Sequence, residues 1–522
     1  MSNSPRSSST ATRNDTPKDM HPEEEEKRAF LTKHLNGRVY PYAIGGHTER
    51  HGILSKGKPG KKDRKTLGMH YVKTLGMLTI LLWACLSIFW GSTYQLLKYF
   101  SRLTVNVYDF DSLNASSLGI TPILGPAYTS YARQSNSLPL STPHVGYNII
   151  DVSQGYPNGV WDARDDVLKK KCWAAIVIHG NATSSWRDAV QTGDAAYDPQ
   201  GSVGIYYEGA RYYQIVLLYL RPFLIKDTST VLSTASQTAL STILTSLSPT
   251  YSPPSQYPAT GALTATTGTL LGNLRTVPQA MSGMFGYYID DLRPQTAWGA
   301  AAVFEAGDIY YLIFAFHLAL WHFLGRSGSG LQNKLKLKSL IGLRLLVPGF
   351  FYFWMALWYT CIIAAFRVPF DNTVGRAGFV VDWALNYVTL LALGLAFETM
   401  ISILTAKFLP LFLIVWIILN ITSSFQPLVV LDPFYKWFVI FPFYHHVMAS
   451  KILFFNTAPA HKLGLHFGAL FGVIGVHLIC LPTAVWFERW RDERSARKEE
   501  EKKREENEKK GEQDRGEEGE RQ

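Results

Sequence analysis

The chain has 522 residues, 47% of them hydrophobic, a formal net charge of +10 and only four cysteines. That length allows two or three domains, and so few cysteines exclude a disulfide-stapled module, since Cys172 stands alone in the middle of the chain and cannot pair there. Mean hydropathy is near zero, yet the apolar residues are gathered in blocks that the polar ends dilute.

Met1 to about residue 74 is read as a disordered, cytosolic N-terminus, rich in Ser, Thr, Pro, Lys and Glu. Gly52–Lys58 is a near miss to a phosphate loop. It is rejected because Pro59 stands where Ser or Thr is required and no strand precedes it. The run Lys56–Lys65 is basic and sits before the first apolar block, which predicts that this end faces the cytosol. Leu75–Leu97 follows as transmembrane helix 1, an uncleaved signal anchor with Trp90 and Tyr94 at its outer interface.

Residues 98–306 are expected to form an extracytosolic α+β domain between helices 1 and 2. Leu103–Phe110, Val145–Val152, Cys172–Ile178 and Val203–Tyr207 are rich in β-branched and aromatic residues and predict strands. Tyr207–Leu224 and Ser229–Leu247 predict helices with a kink or break near Pro222. Pro249–Gly261 is a loop, and a further helix is expected over Ala262–Met284. Glu208 and Arg211, three apart on a predicted helix, are expected to pair locally. Asn114 and Asn181 begin glycosylation sequons, usable only if this domain is luminal. Asn420 matches too, but lies at a span end.

From 307 to 487 the sequence predicts a five-helix transmembrane cluster: Gly307–Leu324, Leu340–Phe366, Phe379–Leu404, Phe408–Ile421 and Leu463–Phe487. Most approach or exceed the ~20 apolar residues that a bilayer core demands. Phe408–Ile421 is short. Phe425–Leu453, broken by Pro427, Pro433 and Pro442, reads as half-helices or an interfacial segment. Arg326, Lys334, Lys336, Lys338, Arg344, Lys407 and the charged cytosolic tail from 488 to 522 fall on the side of Lys56–Lys65 if six spans cross. The fold class is thus a polytopic α-helical membrane protein with six transmembrane helices, arranged one plus five, and both termini cytosolic.

Charges within the spans are costly unless paired or wet. Arg344 and Glu398 sit at similar depth on helices running in opposite directions, and are predicted to face each other. Arg367 and Asp382 are predicted as the matching outer pair. Both pairs read either as structural ion pairs that align helices or as a polar path for substrate or protons. His317, His322, His445 and His446 read as hydrogen-bonded packing histidines rather than metal ligands. Gly464, Gly468 and Gly472 recur every four residues, giving a smooth strip for close packing against another span or against a second copy. No cofactor is implied, and no nucleophile elbow or HExxH motif is present.

Cys172–Thr183, Ile205–Pro222 with its Tyr206, Tyr207, Glu208 and Arg211 block, Tyr310–Phe316 and Leu463–Gly472 resemble the fungal nitrosoguanidine-resistance membrane protein family. The one-plus-five layout is similar to the permease half of type 2 ABC exporters and to the bacterial phage-infection protein. The resemblance implies a non-enzymatic plasma-membrane protein tied to drug resistance and lipid organisation, working by export or by effects on lipids. Its implied partners are membrane lipids, with a homodimer or another membrane protein, and no nucleic acid. The rival expectation is a membrane-anchored scaffold or regulator acting through its outer domain.

Overall fold

The structure is a computed structural model and describes residues 58–94, 96–247, 267–297 and 299–519. The expected disorder up to residue 57, the rejected phosphate loop and the Pro249–Gly261 loop lie outside the described residues. The chain divides into two compact units. One is Met1–Leu78 with Leu320–Leu340, and the other is Thr79–Ala319 with Ile341–Gln522.

The first unit holds the N-terminal part of helix α1 (Lys58–Tyr94). Residues 58–74, expected to be disordered, are instead helical, and they include the basic run from Lys58 to Lys65. It also holds a short helix, Leu331–Lys334, entered through Gly330 in the left-handed region at φ 69°. Glycine suits that turn because it has no Cβ to clash.

The second unit begins its sheet at β1 (Thr104–Asp109), followed by β2 (Gly146–Ile150), β3 (Ala174–Ile178), β4 (Val203–Tyr207) and β5 (Tyr287–Asp291). The order is β2-β1-β3-β4-β5. All neighbours are parallel except β3 and β4. Helices α2 (Phe110–Ser117), α3 (Leu124–Asn136), α4 (Val160–Leu168) and α5 (Ala182–Thr192) separate the first four strands. The layout is thus an alternating α/β one in which β4 and β5 run against the other three strands, rather than the expected α+β mix. Every residue of β3 and β4 is buried, as befits central strands covered on both faces. Val105, Val107, Ile176 and Ile205 point into the larger core, and Tyr108, Ala175, Val177 and Tyr206 into a second core under α4.

Beyond β4 the expected helix over Tyr207–Leu224 starts later. Glu208 leaves the strand, and a continuous helical run extends from Tyr213 to Leu247. It includes a π-turn at Val216–Leu220 and then α6 (Arg221–Leu247). Pro222 does not break it. The widened turn falls where the proline ring and its missing N–H would otherwise disrupt the ladder. The helix expected up to Met284 is α7 (Thr267–Thr276) and a one-turn helix Gln279–Ser282, with residues up to 266 undescribed. The sequence reading missed β5, a half-buried edge strand.

Five helices among the described residues are long and apolar enough to cross a membrane: Tyr71–Tyr94, Gly299–Gly328, Leu337–Ala365, Asp371–Leu404 and Lys462–Lys502. The count reaches six if Pro433–Ile440 and Pro442–Phe455, bent by 78°, form one span. The cluster is built from α8 (Asp308–Gly328), α9 (Leu337–Ala365), α10 (Gly378–Leu404), α11 (Leu409–Ser424), α12 (Pro442–Phe455) and α13 (Lys462–Gly519). At 16 residues, α11 measures about 24 Å and falls short of the ~30 Å hydrocarbon core. α10 is mostly buried and packs along α13, α12 and α9-side residues such as Tyr352. α13 runs on through Pro482 into the charged tail, which is helical up to Gly519.

The bent segment joins the bundle to the sheet domain. Val430, Leu431, Tyr435, Phe438 and Phe441 belong to the same core as β1, β3 and β4. The Tyr435 hydroxyl donates to the Ile88 carbonyl at 2.9 Å, the Tyr99 hydroxyl to Asp432 at 2.7 Å, and Arg102 to the Leu431 carbonyl at 2.9 Å.

Candidate functional site

Arg344, at 0% exposure, is surrounded by acceptors. Its Nε donates to Glu398 Oε2 at 3.0 Å, its Nη1 to Glu488 Oε2 at 2.9 Å, and its Nη2 to the Glu398 carbonyl at 2.6 Å. The structure therefore brings Arg344 and Glu398 together and adds Glu488, which the sequence reading assigned to the tail. Three helices, α9, α10 and α13, are pinned at one point. With Arg fork and carboxylates matched, this cluster has the features of a structural joint.

The other anticipated pair does not form. Asp382 is fully buried, whereas Arg367 is exposed with φ 55°. Arg367 ends α9 in the left-handed region: its N–H bonds the Ala364 carbonyl at 2.9 Å, and that of Val368 the Ile363 carbonyl at 3.4 Å. This is a helix C-terminal cap, which turns the side chain away from the bundle.

Asp382 instead joins a network that the sequence reading did not assemble. Thr360 and Asn386 donate to its Oδ2 at 3.0 and 2.7 Å. Asn386 Nδ2 also reaches Thr360 Oγ1 at 2.8 Å, so its Oδ1 must face His446 Nε2, 2.9 Å away. Across the ring, His446 Nδ1 lies 2.8 Å from Asp308 Oδ1. Because Asn386 Oδ1 only accepts, Nε2 must carry a hydrogen. The opposite nitrogen faces the Asp308 carboxylate at ion-pair distance, without hydrogen-bond alignment. Tyr311 stacks on the His446 ring at 6.0 Å between centroids. His446 is thus buried and hydrogen-bonded, as expected, and also sits at the hub of a network that holds two carboxylates. His445 does pack, its Nδ1 3.2 Å from His466 Nδ1. His317 bonds the carbonyl of Ile313 at 2.8 Å.

The network is not fully satisfied within the protein. Asp382 Oδ1, both Asp308 carboxylate oxygens, His446 Nδ1, the Tyr311 hydroxyl and the Ser450 hydroxyl are buried without a hydrogen-bond partner among the described residues. Each such group costs roughly 1–3 kcal/mol, which separates this cluster from the saturated Arg344 joint. Asp308 was missed because it opens α8, one residue inside the expected span boundary. His446 was seen, but nothing in sequence spacing links it to Asp308 or Asp382.

Glu208 and Arg211 do not pair. Glu208 binds Lys170 and Arg293, the latter at 2.5 Å. Arg211 stacks on Trp173 with its guanidinium 3.8 Å from the ring centroid, and donates to the Cys172 carbonyl at 2.9 Å. The i, i+3 rule presumed a helix where the chain is leaving β4. Tyr206 and Tyr207 lie on β4 with side chains in opposite cores. Burial, with the Arg211 and Arg293 guanidiniums nearby, pushes the Lys170 ammonium down to about 6. Burial also holds Arg211 down to about 10.

Gly464, Gly468 and Gly472 are exposed, and a Cβ at any of them would meet nothing within 4 Å. Packing against another span of this chain is therefore not their role. Asn181 is exposed, whereas Asn114 is partly buried and donates to the Gly180 carbonyl at 2.6 Å.

Residues 74–479 match a family described as a protein of unknown function, DUF3533. The chain is also similar to an uncharacterized endoplasmic reticulum membrane protein of Saccharomyces cerevisiae, 26% identical over 485 residues, covering 90% of this chain and 86% of the relative. No solved structure matches it.

Proposed function

We propose that this chain, which belongs to the DUF3533 family, moves an amphipathic molecule across an internal membrane, using the Asp308–His446 pair as a proton-carrying step. The observation that carries this reading is the polar network itself. Carboxylates and an imidazole inside an apolar bundle are expensive and typically mark proton relays or substrate paths. Here the cost is raised further by Asp382 Oδ1 and the Tyr311 and Ser450 hydroxyls, which find no hydrogen-bond partner among the described residues. A purely structural cluster would be saturated, as Arg344 is.

The internal membrane is inferred from the name of the yeast relative, in place of the plasma membrane. The basic flanks of α1, α8, α9 and α13 favour cytosolic termini, with the sheet domain on the luminal face. On this reading the protein performs no covalent chemistry. Drug resistance would follow either from export of toxic amphiphiles or from altered lipid distribution.

The test is reconstitution of the purified chain in sealed vesicles carrying a quenchable fluorescent lipid and, separately, a fluorescent cationic amphiphile. Movement faster than in protein-free vesicles, accelerated by a pH gradient, is expected for one of them. Equal rates with and without protein would overturn the reading and leave the scaffold alternative.

A further inference from the structure

A separate cavity of 340 Å³ lies where the sheet domain meets α12 and the first turns of α13. Lys170, Arg211, Lys451, Lys462 and His466 line it, and no Asp or Glu does. Trp173, Leu428 and Met448 supply apolar wall. Its volume falls at the low end of the ~300–1,000 Å³ typical of small-molecule pockets.

Lys451 is the informative residue. It is 5% exposed, yet its ammonium forms no ion pair or hydrogen bond with any described residue. It rests over the ring of Tyr212, 3.7 Å from the centroid, and 5.5 Å from that of Phe304. Ring faces recover only part of the cost of burying a cation. Arg211 beside it uses one donor on the Cys172 carbonyl and leaves the rest of its fork toward the cavity wall. Of the carboxylates nearby, Glu208 is shared between Lys170 and Arg293, while Asp308 and Glu305 act on Lys451 only through space, without a hydrogen bond or ion pair to it among the described residues. Arg211, Lys451 and Lys462 thus line, with no acidic side chain among the lining, a space bounded by apolar and aromatic surface at the end of a membrane bundle.

We propose that this cavity holds the phosphate-bearing headgroup of an anionic membrane lipid, with Lys451 and Arg211 as its main contacts. Phosphate would give the buried ammonium a counter-charge and give the guanidinium a planar acceptor. The apolar lining and the position beside α12 and α13 favour a lipid over a soluble phosphate compound. Asp308 of the polar network acts on Lys451 electrostatically, but the test reads lipid binding and does not depend on transport.

The test uses the full chain in a zwitterionic detergent. Thermal unfolding is followed during titration with short-chain phosphatidate, phosphatidylcholine of the same chain length, or inorganic phosphate. A saturable rise in Tm with phosphatidate is expected, at an affinity at least about tenfold tighter than for the other two. Lys451→Met is expected to weaken it by about tenfold or more. Lys462→Gln, at an exposed rim position, is expected to weaken it about threefold and decides the matter if Lys451→Met does not fold. Equal shifts with phosphatidylcholine would overturn the proposal. So would inorganic phosphate as effective as phosphatidate, which would point to a soluble anion. Wild-type affinity in the variants would overturn it as well.

Discussion

Arg344 Nε and Glu398 Oε2 lie 3.0 Å apart with neither side chain exposed, and the same guanidinium holds Glu488 at 2.9 Å. Removing a partner leaves a buried charge uncompensated. Glu398→Ala should therefore cost about 3–5 kcal/mol, read as a lower unfolding temperature in detergent. The double variant Arg344→Met with Glu398→Leu should recover much of that loss. A double variant as unstable as Glu398→Ala alone would argue against the joint.

The glycines divide by environment. A Cβ at Gly394 would run into the Tyr352 ring, and at Gly378 into the Phe370 carbonyl. Gly394→Ala should lose about 1–3 kcal/mol through overpacking. Gly468→Ala meets nothing, and its stability should stay within roughly 0.5 kcal/mol of wild type or rise slightly. If two copies associate through that face, cross-linking between α13 helices should fall in Gly468→Leu while the protomer melts normally.

His179 offers a pH signature in the sheet domain. Burial lowers its pKa below 6.5, and its Nε2 lies 2.9 Å from the Tyr288 hydroxyl. The folded state disfavours the proton, so the unfolded state takes it up first as pH falls. Stability is complete above 6.5 and is lost as pH drops through the lower folded value. Protection from hydrogen exchange across residues 174–207 of the full chain, corrected for the intrinsic rate at each pH, should fall between neutral and mildly acidic pH, and His179→Gln should flatten that dependence.

A luminal sheet domain should carry glycan at Asn181, whose side chain is exposed, in preference to Asn114, whose amide is engaged by Gly180. Glycosidase should change the mobility of wild type but not of Asn181→Gln. A shift that persists in Asn181→Gln and vanishes in Asn114→Gln would contradict this.

Much of the frame was legible in the sequence because its causes are local. Apolar runs of membrane length and β-branched strand segments announce themselves. Arg344 and Glu398 could be matched because each is a lone charge at a countable depth. Arg367 could not be placed that way, since a left-handed cap residue lies outside the helical count. Periodicity put Gly464, Gly468 and Gly472 on one face without saying whether anything meets that face. The Asp308–His446–Asp382 network was illegible because it depends on α12 folding back into the bundle after the 78° bend. The reversed β4 and the edge strand β5 likewise depend on tertiary pairing.

The most direct measurement of the central claim is proton movement in sealed vesicles loaded with a pH-sensitive dye. Wild type, Asp308→Asn and His446→Gln would be compared at equal, monodisperse loading, in the presence of the amphiphile that wild type moves. Wild type should couple amphiphile movement to proton flow, and both variants should lose that coupling while keeping a near-normal melting profile. Variants that carry protons and amphiphile at the wild-type rate would contradict the account.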